Sequence, residues 1–319
     1  MESESTPHGV LVPLDGSPLA EQALPYAQAL VAPGAALTLL QVVETPEPIH
    51  GMSGRLLAPI EDVERMLEQQ AHDDLQKTVT TLHGKLPPVH LEVTRGDPAV
   101  EILRVAAGRQ VDLTAMTTHG RGALGRWVFG SVADRVARSS PVPVLLVRPS
   151  EGEPRPVAIR RLVVPLDGSA LAEEALPTAQ ALARRLSVPI HLITVIDMMR
   201  IIPVEVAPVV AFDATVYEET LSQFDAGAAA LLAEVSERLE REGLHTTSEV
   251  AHGSPFMTIA DAVQDGDLIV MTSHGRSGVR RWLLGSVAEK LVREAPVPVV
   301  LVPVAARQPG MPSEIPIAH

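Results

Sequence analysis

Residues Val12 to Leu30 read VPLDGSPLAEQALPYAQAL, and Val164 to Leu182 read VPLDGSALAEEALPTAQAL, with 16 of 19 positions identical. A second pair, Met116 to Val147 against Met271 to Val302, matches at 18 of 32 positions. The offsets are 152 and 155 residues, so each copy keeps its internal order. Copies of this length are too long for solenoid repeats and have the size of whole domains. The 319 residues therefore divide into units at 7–148 and 161–304, joined by a linker at 149–160. The joint, RPSEGEPRPVAIR from Arg148 to Arg160, is rich in proline and charge and poor in periodicity. Residues 305–319 have no repeat partner and read as a disordered tail.

Within each unit, apolar runs alternate with helical patterns. In the first, Val10 to Leu14, Leu37 to Val43, Val89 to Thr94, Val111 to Met116 and Val142 to Val147 read as strands. Leu19 to Leu30 and Glu61 to Leu82 read as helices, with others starting at Ala99 and Ser131. Continuous apolar strands alternating with helices imply parallel sheets covered on both faces. The expectation is an α/β chain of two tandem doubly wound open sheets, each of five mainly parallel strands with four helices. With aromatics at 3%, the cores must be built from Ala, Val, Leu and Ile.

Several function classes are excluded at this level. There is no cysteine, so disulfides, thiolate nucleophiles, iron–sulfur clusters and cysteine zinc sites are out. A net charge of −13 suits a nucleic-acid backbone poorly. The opening MESESTPHG has neither the basic start nor the apolar stretch of a signal peptide, and no run of 18 apolar residues occurs. A soluble cytoplasmic protein, without membrane or nucleic acid as partner, is expected. No Walker lysine follows the glycine loop, and no nucleophile–base pair stands out, so catalytic residues are not assigned.

Ligands of open α/β sheets bind beyond the carboxyl ends of the strands. Asp15 and Asp167 follow the first strand of each unit, and Val42 and Val195 lie near the end of the second. After the fourth strand comes a glycine loop, with nine residues between Gly120 and Gly130 and between Gly275 and Gly285. Ser131 and Ser286 then open helices whose free N–H groups and positive dipole end favour an anion. Arg121 or Arg126, or their partners such as Arg276, would add charge. Each feature also has a plainer reading. Gly130 and Ser131 suit a turn and a helix N-cap, and each Asp suits an N-cap. His119 and His274 suit exposed loop positions in reach of a phosphate, without a metal-ligand partner in sequence. Trp127 and Trp282 read as packing anchors of the loop. Met198 to Phe212, the most divergent and apolar connection, reads as a cover for the ligand or a contact surface.

The strand end VPLDGS, the spacing of Gly, nine residues and Gly-Ser, and the closing PVPVLLV resemble the universal stress protein family in its tandem, ATP-binding form. The resemblance spans 7–148 and 160–304. Its fuller motif has a further glycine where this chain has Thr117 and Thr272, which put a hydroxyl in the loop. The resemblance implies a fold of the adenine nucleotide alpha-hydrolase-like kind and an ATP, ADP or AMP ligand. Adenine would lie against Val42 and Val195, and ribose with a nucleotide-bound Mg2+ near Asp15 and Asp167. Phosphates would sit at Gly120, Gly130 and Ser131, and at Gly275, Gly285 and Ser286. Neighbouring contacts would come from Pro13, Leu14, Met116 and Val132, and from Pro165, Leu166, Met271 and Val287. It further implies a stress-response regulatory protein whose conformation or assembly follows nucleotide binding, with an unidentified regulatory partner. Slow ATP hydrolysis and a ligand-free interaction role remain open as alternatives. Pairing of the closing strands would make the two units an intrachain pseudo-dimer, and chains would pair into homodimers.

Overall fold

The computed structural model describes residues 9–44, 60–82, 87–119, 129–150, 157–197, 214–273 and 284–304. The first half contains β1 (Val10–Leu14), β2 (Leu37–Val43), β3 (Val89–Arg95), β4 (Leu113–Thr117) and β5 (Val144–Val147). The second contains β6 (Arg161–Pro165), β7 (Ile190–Ile196), β8 (Thr246–His252), β9 (Asp267–Thr272) and β10 (Val299–Val302). They form one ten-stranded sheet in the order β3-β2-β1-β4-β5-β10-β9-β6-β7-β8. Neighbours within each half run parallel, and β5 and β10 meet antiparallel with Val300 opposite Leu145.

This corrects the fold expected above. Two separate five-stranded sheets of the adenine nucleotide alpha-hydrolase-like kind do not exist here, because β5 and β10 fuse the halves into a single mixed sheet. The cause is the composition of those strands. VLLV and VVLV are apolar at every position, and all eight residues are buried. A free edge of that kind would leave its N–H and C=O groups unpaired beside apolar side chains, and each strand solves this for the other. Both hydrophobic cores, one on each face of the sheet, accordingly run unbroken through the two halves.

Helices flank the sheet: α1 (Pro18–Glu21), α2 (Leu24–Leu30), α3 (Ile60–Thr81), α4 (Pro98–Gly108) and α5 (Ser131–Ser139) in the first half. The second half has α6 (Ala170–Glu173), α7 (Leu176–Leu186), α8 (Ala214–Arg241), α9 (Pro255–Ala262) and α10 (Ser286–Glu294). The helix expected over Leu19 to Leu30 is broken between α1 and α2. Pro25, within the first turn of α2, has no N–H to give to Glu21, and its ring crowds that carbonyl. Pro177 repeats the break between α6 and α7. Among the described residues, no helix is long and apolar enough to cross a membrane. Met198 to Phe212 lies outside the described residues.

Candidate functional site

In the first half, β1 lies between β2 and β4, and its two connections diverge: α1 and α2 pack on one face of the sheet, α5 on the other. Where the connections part, a cavity of about 900 Å³ opens at the carboxyl ends of the strands. Pro13, Leu14 and Asp15 from β1 and its turn form the floor. One wall is the end of β2, Gln41 to Glu44, with Leu67, Gln70, Ala71 and Asp74 of α3 above it. The opposite wall is Met116 to His119 after β4 and the first turn of α5, Gly130 to Ala133. Pro98 and Ile102 of α4 close the side.

The β1 turn has a defined chemistry. Asp15 Oδ1 accepts hydrogen bonds from the Ser17 N–H at 2.9 Å and the Ser17 hydroxyl at 2.5 Å. Ser17 Oγ in turn accepts from the Ala20 N–H at 3.3 Å, so Ser17 caps α1. The plainer reading of Asp15 as the N-cap is therefore corrected: the aspartate orients the cap from two residues away. Asp167, Ser169 and Ala172 repeat the arrangement at 3.0, 2.6 and 3.2 Å. Gly16 and Gly168 between them have φ of 74° and 78°, a left-handed conformation that glycine adopts without strain.

The loop after β4 is pinned at both ends. The Thr118 N–H donates to Val147 O and the Gly130 N–H to Thr118 O, each at 2.9 Å. A Cβ on Gly130 would come within 3.1 Å of Thr118 O, so glycine is favoured here by close approach and not by its φ of −62°, which suits any residue. Gly130 itself is the N-cap of α5, with no side-chain hydrogen bond to the first turn. Ser131 is thus the first helical residue rather than the cap, and the N–H groups of the first turn have no intrahelical acceptor. Those groups and the helix dipole make this wall of the cavity attractive to an anion. Ser286 stands likewise after the N-cap Gly285, whose N–H donates to Ser273 O at 2.8 Å.

Thr117, at the glycine position of the fuller motif, ends β4 and is buried. Its hydroxyl donates to the His119 carbonyl at 2.6 Å and so braces the backbone just after β4. His119 Nδ1 pairs with the Thr118 hydroxyl at 2.8 Å. Its Nε2 is sealed from water without a hydrogen-bond partner. The imidazole pKa is pushed below its ordinary value, first by burial and then by the positive charge of Arg148. The expected exposed loop histidine is thus a half-buried wall residue.

Of the first-half positions singled out from sequence, Pro13, Leu14, Asp15, Val42, Met116, Thr117, His119, Gly130, Ser131 and Val132 all border this one cavity. In the second half, Pro165 ends β6, Leu166 and Asp167 follow it, and Val195 lies in β7. Met271 and Thr272 end β9, and Gly285, Ser286 and Val287 open α10. Gly120, Arg121, Arg126, Trp127, His274, Gly275, Arg276 and Trp282 lie outside the described residues. Sequence reasoning missed Gln41, Thr118, the α3 wall and the α4 side. Leu67 and Ala71 belong to the apolar stripe of α3 and read as core, although Leu67 is 39% exposed and faces the cavity. Among the described residues, no group of three His, Asp or Glu converges to hold a metal ion.

A universal stress protein of Mycolicibacterium smegmatis is 26% identical over 306 residues, covering 95% of this chain and 99% of its own length. One from Methanocaldococcus jannaschii is 32% identical over 147 residues, 45% of this chain and 81% of that protein. The crystal structure of a universal stress protein from Archaeoglobus fulgidus overlays with a TM-score of 0.64 at 18% identity, covering 94% of this chain and 99% of that one, and so shares the fold. The model of the universal stress protein family matches residues 8–148 and again 158–303. With nearly all of its length covered by two successive matches, the chain belongs to the universal stress protein family as two tandem domains.

Proposed function

We propose that the protein is a stress-response regulator that binds an adenine nucleotide in the first-half cavity and at the matching position of the second half, and that binding sets its conformation or assembly. The observation that carries this reading is the shape of the cavity. Its anion-attracting wall at the start of α5 faces a mixed wall at the end of β2, where Val42 and Val43 stand between Gln41 and Glu44. From β4 to β2 is two inter-strand steps, roughly 10 Å, the span from phosphate to base in a nucleotide. Val42, Leu67, Ala71 and Ile102 offer apolar surface for a flat ring, and Asp15 lies on the floor between the ends.

The cavity also holds the carboxylates of Asp15, Glu44 and Asp74 in a chain of net charge −13. A polyphosphate entering there needs a cation to offset repulsion. Magnesium fits as a companion of the phosphates, which would supply most of its oxygen ligands beside the Asp15 carboxylate. The units 7–148 and 161–304 would then carry one nucleotide each, and pairs of chains would form the working assembly.

Native mass spectrometry of the full chain with ATP and magnesium tests the reading. Two adenine nucleotides per chain, with affinity reduced about tenfold or more when EDTA removes the metal, is the expected result. An unliganded chain at millimolar ATP with magnesium would overturn it.

A further inference from the structure

One side chain on the β2 wall belongs to neither the phosphate end nor the apolar surface. Gln41 borders the cavity, and its Oε1 is sealed from water with no hydrogen-bond partner. A buried polar atom without a partner costs stability, and a Met or Leu of similar size would pack there without that cost. The second half repeats the anomaly with different chemistry. Gln41 pairs across to Leu14 in β1, and Thr194 occupies the corresponding place in β7, one residue before Val195. Thr194 is 7% exposed, and its Oγ1 is also buried without a partner. Both halves thus keep an unpaired polar atom beside the residue that would meet the ring, although an apolar residue would stabilise the strand.

We propose that Gln41 reads the polar edge of the heterocycle in the first site, turning its carboxamide into the cavity when ligand binds, and that Thr194 does so more weakly in the second. The inference rests on the nucleotide reading above. A carboxamide offers a donor beside an acceptor, which complements the amino group and neighbouring ring nitrogen of adenine. A threonine hydroxyl is shorter and makes one such contact. The two sites of one chain therefore differ in how sharply they select the base, while their phosphate ends match.

Isothermal titration of the full chain with ATP and with purine riboside triphosphate, which lacks the exocyclic amino group, tests this. In the unaltered protein one class of sites prefers ATP by about tenfold or more. Gln41→Met keeps the length and removes the unpaired oxygen, so its melting temperature stays level or rises. In that variant the preference falls to about twofold, affinity for the purine analogue is retained, and the other class of sites is unaffected. An unchanged preference in Gln41→Met, or an equal loss of both ligands, overturns the role of Gln41 while leaving nucleotide binding intact. Failure of the unaltered protein to bind either ligand overturns the nucleotide reading itself.

Discussion

Thr114 sits in the middle of the sheet at 0% exposure, and its Oγ1 has no hydrogen-bond partner. It pairs with Leu11, as Ile269 pairs with Val163 in the second half, so the same interior site is polar in one copy and apolar in the other. Thr114→Val removes the unpaired hydroxyl with little change of shape. It is expected to stabilise the protein by about 1 kcal/mol, raising the melting temperature by roughly 2 °C. His191 is a second buried polar residue, with Nδ1 2.8 Å from the Thr247 hydroxyl. Burial and then Arg161 of β6 push its pKa below the ordinary value near 6.5, against the opposing influence of Glu249 of β8 and Asp267 of β9. A histidine held neutral in the fold leaves the unfolded chain to take up the proton first. Its contribution is therefore complete above the ordinary value and is lost as pH falls below it. Thermal melts are expected to show stability dropping from pH 7.5 to 5.5, and His191→Thr to flatten that drop. An equal slope in the variant would assign the acid sensitivity elsewhere.

At the scale of elements, the start of α5 joins fold to site. Gly130 accepts the Asp134 N–H at 2.8 Å as any N-cap does, but its bare Cα also lets Thr118 O approach. Gly130→Ala requires that carbonyl to give by a few tenths of an ångström. Titration should find ATP binding weakened about 3- to 10-fold with the fold intact, since the amides of the first turn lose their alignment on the ligand. Unchanged affinity would mean that these amides do not hold the phosphates. Much of this element could be read from the chain: the glycine spacing, the serine after it and the apolar face of the helix all precede any coordinates. Its capping could not, because Ser131 and Gly130 both suit a cap and only the backbone angles decide between them. The α3 wall was hidden for a related reason. Leu67 and Ala71 obey the same spacing as Leu75, and periodicity alone does not separate a residue facing core from one facing a cavity. Pro25 was visible, yet the apolar pattern continued across it and concealed the break between α1 and α2.

The molecule as a whole is held across its centre by more than the β5–β10 pairing. Helices α2 and α7 pack together across the junction. The Arg185 guanidinium donates to the Leu30 carbonyl at the end of α2, and Arg148 reaches Glu294 O at the end of α10 at 3.3 Å. Tyr26 of α2 is half-buried there, and its pKa is raised by burial and by Asp265 of the other half. The repeat and the apolar closing strands announced that each half had an edge to cover. The partner came from the family resemblance, which implied pairing of the two closing strands, and β5 against β10 bears that out. The local pattern did not supply it, since it does not state which partner a strand 155 residues away will choose. With both cores continuous and strands hydrogen-bonded from β3 to β8, neither half can unfold without exposing the other's closing strand. Calorimetry of the full chain should therefore show one cooperative transition, its calorimetric and van't Hoff enthalpies agreeing, where separately folded domains would give two. Leu145→Asp places a carboxylate at a position of 0% exposure opposite Val300. It should cost about 3 kcal/mol or more and split the transition, because the buried charge has no partner and it falls in the strand pair that couples the halves. Two transitions in the unaltered protein, or one undivided transition in the variant at an unchanged temperature, would show that the halves are stabilised independently of the strands that join them.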